Sequence, residues 1–154
     1  MKQEHIDQIN KAVAAVAAKK HINHFYFVAC GGSQAFMMPA QFMFDKELET
    51  PSGIYTSNQF VHEVPKALGE DSVVITCSHS GNTPETVKAT EMARSMGATT
   101  IALSNLVDSP LWKAAEYPIH YDWGKDADAS DLNKAVLYSL VFRILDAVAP
   151  CDKY

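Results

Sequence analysis

Five short runs of β-forming residues, each followed by a segment with helical spacing, dominate this sequence. The predicted strands are residues 24–30, 53–57, 72–78, 99–103 and 117–121. The predicted helices are residues 4–20, 34–48, 58–68, 84–96, 109–115 and 131–148. Because strands and helices alternate, the order predicts a parallel sheet with helices on both faces. The predicted fold class is therefore α/β, a three-layer α-β-α sandwich around a five-stranded parallel sheet.

The predicted helix 34–48 differs from the other helices because it is apolar almost all round. Its large apolar residues are Phe36, Met37, Met38, Phe42, Met43 and Phe44. A helix that packs on one sheet face needs only one apolar stripe. The excess apolar surface predicts a homodimer or a higher assembly, since monomers seldom expose such patches.

Length, charge and cysteine content narrow the class of protein. The 154 residues fit one domain. A net charge of −5 gives no electrostatic basis for binding nucleic acid. No apolar run approaches the ~20 residues of a membrane span, and the amino terminus lacks the apolar core of a signal peptide, so we predict a cytoplasmic protein without a membrane partner. The three cysteines form no C-x-x-C pair, so neither a disulfide framework nor a metal site is predicted.

The loop after the third predicted strand is the first candidate binding site. It reads Ser78-His79-Ser80-Gly81-Asn82-Thr83 and leads into a helix at Pro84. Hydroxyl groups and free backbone N–H groups at a helix start favour an anion. The lysine of a nucleotide triphosphate loop is absent, so a phosphomonoester fits better. The same residues also suit a simple capped turn, and the pattern alone leaves both interpretations open.

The loop after the first predicted strand is the second candidate. It reads Cys30-Gly31-Gly32-Ser33-Gln34 and lacks the G-x-G-x-x-G spacing of a dinucleotide site. Two glycines permit a close approach of the backbone to a ligand, and Ser33 and Gln34 carry donors for sugar hydroxyls. The alternative is a tight turn in which Ser33 caps the following helix.

Together, the two loops carry a family resemblance. The stretches FVACGGSQ and VITCSHSGNTPET resemble the two signature segments of the sugar isomerase (SIS) family of phosphosugar-binding domains. Within that family, SHSGNTPET is most similar to the amino-terminal half of the deglycases of phosphorylated fructosamines. The family's usual Gln and Glu in the second loop are replaced by His79 and Asn82.

The resemblance implies a set of ligand contacts. The phosphate group is assigned to Ser78, His79, Ser80 and Thr83. The sugar is assigned to Gly32 and Ser33, and Gln34, Ser130 and Lys134 are weaker candidates near the rim. No cofactor and no metal is implied, and the expected ligand is a hexose phosphate or a phosphorylated fructosamine.

The resemblance also implies an activity for a longer parent protein. Residues 1–154 correspond to a single SIS domain, which the resemblance makes the first half of a two-SIS protein that carries out deglycation or aldose–ketose isomerisation through an enediol or enolamine. A one-domain member that completes its site by oligomerising is the other possibility. The catalytic Glu and His of the two-SIS subtype lie in the other half, so no catalytic residue is assigned in this chain. His62 and Glu63 lie near the predicted site, and Glu85 at a helix N-terminus is typical of a residue that interacts with the helix dipole, so none of the three is assigned to catalysis. The alternative is a non-catalytic SIS module that senses a sugar phosphate.

Overall fold

The computed structural model describes residues 1–149 and shows alternating helices and strands. The strands are β1 His24–Ala29, β2 Ser52–Thr56, β3 Ser72–Cys77, β4 Thr99–Ser104 and β5 Tyr117–His120. The helices are α1 Gln3–Ala17, α2 Gly31–Glu47, α3 Ser57–His62, α4 Pro84–Ser95, α5 Pro110–Ala114 and α6 Asn133–Val148. A 3-10 helix, Ala129–Asp131, precedes α6. The third cysteine, Cys151, lies outside the described residues.

All five strands are parallel, in the order β2-β1-β3-β4-β5, which confirms the predicted sheet. Strand β1 lies between β2 and β3, with Ala29 opposite Cys77 at the carboxyl end of the β1–β3 pair. The chain order reverses at this pair, because β2 is added on one side of β1 and all later strands on the other. Ligands of open parallel sheets bind in the crevice beyond the strand ends at such a reversal. The two candidate loops follow these two strands directly.

Apolar side chains on both faces of the sheet hold the three layers together. One face carries Phe25, Phe27 and Ile75, which are fully buried beneath α1, α2 and α6. The ring of Phe44 on α2 stands edge-on to Phe25 and Phe27, at centroid distances of 4.9 and 5.2 Å. On the other face, a second buried cluster joins β1 and β3 to α3 and α4. Each fully buried side chain of this size contributes about 1.5–3 kcal/mol to folding.

Helix α2 begins earlier than the sequence predicted. The two glycines lie inside its first turn, and the carbonyl of Cys30 accepts hydrogen bonds from the N–H groups of Ser33 and Gln34. The prediction that Ser33 caps the helix is therefore wrong, since Cys30 occupies the cap position. Gly31 has a φ of 52°, a left-handed conformation that only glycine adopts without strain.

Helix α3 is shorter than predicted and ends at His62 instead of near Leu68. The cause is Pro65, because a proline disfavours the helical conformation in the residue before it, here Val64. Residues 65–68 form a turn in which the N–H of Leu68 donates to the carbonyl of Pro65. The bounds of the other elements agree with the predictions within three residues.

The outward side of α2 keeps large apolar groups in contact with solvent. Met37, Ala40 and Phe44 are buried beneath the helix, whereas Met38 is 51% and Phe42 65% exposed. Apolar residues therefore lie on more than one side of the helix, as predicted. The side chains of Met38 and Phe42 are not covered by other parts of residues 1–149. No helix in this part of the chain is long and apolar enough to cross a membrane.

Candidate functional site

A cleft of about 420 Å³ opens at the carboxyl ends of β1 and β3. Six of the residues predicted from the sequence line it: Gly32, Ser33, Ser78, His79, Ser80 and Thr83. The rest of the lining is formed by Cys30, Phe36, Cys77, Tyr121, Trp123 and Asn133. Two loops that are far apart in the chain thus meet at one cleft, as the parallel sheet order requires.

The loop of residues 78–83 is shaped by hydrogen bonds from its own hydroxyl groups. The hydroxyls of Ser78 and Thr83 lie 2.8 Å apart, and the N–H of Gly81 donates to Ser78 Oγ at 3.1 Å. The N–H of Asn82 donates to Ser80 Oγ at 3.1 Å. Thr83 occupies the N-cap position of α4, but its side chain makes no capping bond. Its hydroxyl instead orders the loop together with Ser78.

Neighbouring segments fix the backbone of this loop and leave donors free. The carbonyl of His79 accepts from the N–H of Asn105 at 3.1 Å, and the carbonyl of Gly81 accepts from the N–H of Leu111 at 3.0 Å. The N–H groups of His79, Ser80 and Thr83 donate no hydrogen bond to any described residue. Because these donors precede the twelve-residue helix α4, the positive end of its dipole adds to their attraction for an anion.

The imidazole of His79 is turned against two aromatic side chains. Its Nδ1 lies 2.9 Å from the hydroxyl of Tyr121, and its ring meets Trp123 edge-on at 4.9 Å. Burial, and to a lesser degree the nearby Cys77, raise the pKa of Tyr121, so its hydroxyl keeps its proton at neutral pH. His79 therefore lines the cleft as predicted, with Nδ1 already engaged by the protein.

A chain of buried hydroxyls connects the loops around the cleft. Ser57 is the first residue of α3, and its Oγ lies 2.7 Å from Oγ1 of Thr86. Thr86 Oγ1 in turn lies 3.8 Å from Cys30 Sγ. These contacts tie the segments after β1, β2 and β3 to one another. Separating the two hydroxyls would leave a buried polar group unpaired, and this cost opposes movement of the segments relative to one another.

Cys77, at the end of β3, is not arranged as a nucleophile. The residue is 2% exposed, and burial raises the pKa of its thiol to about 12, an effect that the Ser33 side chain opposes. A thiol with that pKa is fully protonated at neutral pH, whereas the reactive form is the thiolate. Cys77 contributes packing and shape to the floor of the cleft.

The cleft contains no full charge. None of its lining residues within positions 1–149 is Asp, Glu, Lys or Arg, and neither Glu63 nor Glu85 is among them. A second cleft of about 640 Å³ lies between α4 and α5, where Arg94, Lys113 and Asp108 contribute to its walls. None of the residues that line this second cleft belongs to the loops after β1 and β3, so the site at those two strands remains the candidate.

The three weaker candidate residues do not lie in the cleft. Gln34, Ser130 and Lys134 do not line it; the hydroxyl of Ser130 donates to Asp128 instead, at 2.9 Å. Sequence reasoning did not assign the other six lining residues to the site: Cys30, Phe36, Cys77, Tyr121, Trp123 and Asn133. Tyr121 is the last residue of the predicted strand 117–121 and directly follows β5 in the structure, and that position at a strand end was the available signal for it.

A family model for the SIS domain matches residues 19–143. The chain belongs to the SIS domain family. Its sequence is 48% identical over 136 residues to the fructosamine deglycase FrlB of Bacillus subtilis (strain 168), covering 88% of this chain and 42% of that protein. It is 31% identical over 140 residues to the fructoselysine 6-phosphate deglycase of Escherichia coli (strain K12), covering 90% of this chain and 40% of that protein.

Solved structures show the same SIS fold. A crystal structure from Bacillus subtilis, assigned to a phosphosugar isomerase, superposes with a TM-score of 0.89 at 44% identity. The match covers 97% of this chain and 46% of that one. This SIS domain thus spans less than half the length of these relatives, and their names refer to sugar phosphates or fructosamines.

Replacing Gly81 with alanine tests whether the loop conformation is built into this sequence. Gly81 has a φ of 70°, and a Cβ there would lie 2.1 Å from Ser109 Oγ. We expect Gly81→Ala to lower the free energy of unfolding by about 1–3 kcal/mol, measured by urea denaturation. Gly69→Ala is the control, because a Cβ at Gly69 meets nothing within 4 Å. Equal stability of the two variants would contradict this account of the loop.

Proposed function

We propose that this SIS domain binds a hexose phosphate in the cleft between β1 and β3. The phosphate group lies against the hydroxyls of Ser78, Ser80 and Thr83 and the free N–H groups of the same loop. The observation that carries the proposal is the set of three unpaired N–H groups in the loop that leads into α4, beside three hydroxyls and within one cleft. Neutral donors at a helix N-terminus bind a phosphomonoester without a lysine or arginine.

The sugar extends from the loop toward the turn of Gly32 and Ser33. The glycine turn lets the backbone approach the ligand, and Asn133 supplies an amide on the facing wall. Trp123 is 58% exposed and offers an aromatic surface at the mouth of the cleft. The names of the relatives support a phosphorylated fructosamine as the substrate class.

The proposed parent activity is deglycation of a phosphorylated fructosamine, or aldose–ketose isomerisation, in the cytoplasm. Both reactions move a proton between adjacent carbons through an enediol or enolamine, and a carboxylate base must reach those carbons within hydrogen-bond distance. The cleft lining contains no carboxylate. We therefore place the catalytic base outside residues 1–149 and assign recognition of the substrate to this domain.

A sugar-phosphate sensor is the second candidate function, and the same lack of a carboxylate in the cleft lining favours it. The two functions differ in whether the full-length protein turns over a phosphorylated fructosamine. A deglycase releases glucose 6-phosphate from a phosphorylated fructosamine with turnover, whereas a sensor only binds the sugar phosphate. An assay of glucose 6-phosphate release by the full-length protein therefore distinguishes a deglycase from a sensor.

Replacing Ser80 with alanine tests the phosphate assignment. The change removes one hydroxyl from the proposed phosphate shell, and we expect glucose 6-phosphate binding to weaken by about 1.5–3 kcal/mol, the contribution of a hydrogen bond to a charged group. Isothermal titration calorimetry measures the affinity. The control is Ser95→Ala, because Ser95 is an exposed serine in α4 whose hydroxyl donates to the carbonyl of Met92. An unchanged affinity in Ser80→Ala would remove Ser80 from the site.

We also propose that the exposed side of α2 pairs with a second copy of the chain. The exposed side chains of Met38 and Phe42 form the apolar part of this surface. A Met38→Lys, Phe42→Lys double variant should be monomeric in multi-angle light scattering, while the parent chain is a dimer or larger. Lys134→Glu is the charge-changing control, since Lys134 lies on α6. A monomeric parent chain at micromolar concentration would contradict the proposal.

A further inference from the structure

A cluster of potential metal ligands lies where the start of α1 meets the end of β5. It consists of Glu4, His5 and His120, whose ligand atoms all lie within 4.8 Å of one another. The cluster is separate from the cleft, because none of its members lines that cleft. Residues so far apart in the chain come together because α1 packs along β5.

The hydrogen bonds of His120 leave one of its nitrogens facing a carboxylate. Its Nε2 lies 3.0 Å from the carbonyl oxygen of Asn105, and since a carbonyl only accepts, Nε2 carries a proton. In the neutral ring, Nδ1 then has a lone pair and no proton. This Nδ1 lies 3.1 Å from Glu4 Oε1, so two acceptors face each other. A cation between the two atoms, either a proton or a metal ion, would remove the repulsion between these acceptors.

His5 supplies an independent indication of a missing partner. Its side chain is 0% exposed, and neither ring nitrogen has a hydrogen-bond partner among the described residues. Its Nε2 lies within ion-pair distance of two carboxylates, 3.2 Å from Asp122 Oδ1 and 3.9 Å from Asp131 Oδ1, whereas its Nδ1 has no partner of either kind among the described residues. Burying an unpaired imidazole is costly, because its polar atoms lose their water without compensation. A ligand for His5 is therefore expected.

We propose that Glu4, His5 and His120 bind one Zn²⁺ ion. Two imidazoles and one carboxylate are a ligand set that zinc uses in proteins, with water in the fourth position. Ligand atoms around a tetrahedral zinc lie about 3.3 Å apart, close to the observed separation of His120 and Glu4. The carbonyl of Asn105 is the kind of outer partner that orients a metal-bound histidine.

The surroundings of the cluster are consistent with this ligand set. Glu4 is 49% exposed, which gives an ion access from solvent. Asp122 lies beside the cluster but is not among its ligand atoms: its Oδ2 pairs with the Lys2 ammonium at 2.5 Å, and its Oδ1 faces His5 Nε2. The site also reaches the loop after β3 indirectly, because the N–H of Asn105 holds the carbonyl of His79. Bound zinc would fasten α1 to β5 behind that loop.

Zinc titration of the metal-free, untagged protein tests the proposal. With a competing chelator as indicator, we expect one equivalent of Zn²⁺ to bind and the thermal midpoint to rise, since an ion that binds only the folded state stabilises it. Mg²⁺ should give neither effect, because imidazole is not its preferred ligand. Absence of stoichiometric zinc binding would overturn the proposal and would leave a proton as the cation between His120 and Glu4.

Two substitutions distinguish this site from adventitious binding. Glu4→Gln and His120→Gln should each weaken zinc affinity at least about tenfold. Asp7→Asn, the matched control on the same helix, should leave it unchanged. Circular dichroism confirms folding, and because Glu4 is half exposed its variant retains the core. Full zinc affinity in Glu4→Gln and His120→Gln would assign the ion to another site, such as the cysteines, and would overturn the proposal.

Discussion

The parallel pairing of β1 with β3 is the contact on which the proposed site depends. It sets Ala29 opposite Cys77, so that the segments after the two strands leave the sheet side by side. The same pairing lies where the strand order reverses, and the helices after β1 and β3 therefore pack on opposite faces and leave a crevice between them. The hydroxyl pair of Ser57 and Thr86 then links this crevice to the end of β2.

The proposed anion site depends on the geometry of its donors and contains no Lys or Arg among its described lining residues. Three backbone N–H groups of residues 78–83 are free, and the carbonyl groups of His79 and Gly81 point away into hydrogen bonds with the β4–α5 segment. Because the carbonyl of His79 is held by Asn105, the N–H on the other side of the same peptide group, that of Ser80, is directed away from that bond. Gly81 makes the arrangement possible, because its left-handed conformation and lack of a Cβ let the loop approach Ser109.

The sequence predicted the sheet, its helical layers and six lining residues, because these depend on local signals. Strands, glycine-containing turns and hydroxyl-rich loops can each be recognised from a few consecutive residues. The short α3 was also predictable, because Pro65 disfavours a helical conformation at Val64. The early start of α2 was missed because a Gly-Gly pair normally ends regular structure, whereas here it lies at the start of a well-packed helix.

Features that depend on distant parts of the chain were not predictable from local patterns. Tyr121 and Trp123 reach the cleft only because β5 and its following loop pass beside His79. The cluster of Glu4, His5 and His120 joins residues from opposite ends of the chain, so no short motif marks it. Ser130 illustrates the reverse case, since its hydroxyl pairs with Asp128 near it in sequence and not with the cleft.

The central claim is that the neutral loop of residues 78–83 holds the phosphate of a sugar phosphate. A crystal structure of the chain with fructose 6-phosphate tests it most directly. The account predicts phosphate density within hydrogen-bond distance of the hydroxyls of Ser78, Ser80 and Thr83, with the sugar toward Ser33. Density in the cleft lined by Arg94 and Lys113 instead, with an ordered and empty loop at 78–83, would contradict it.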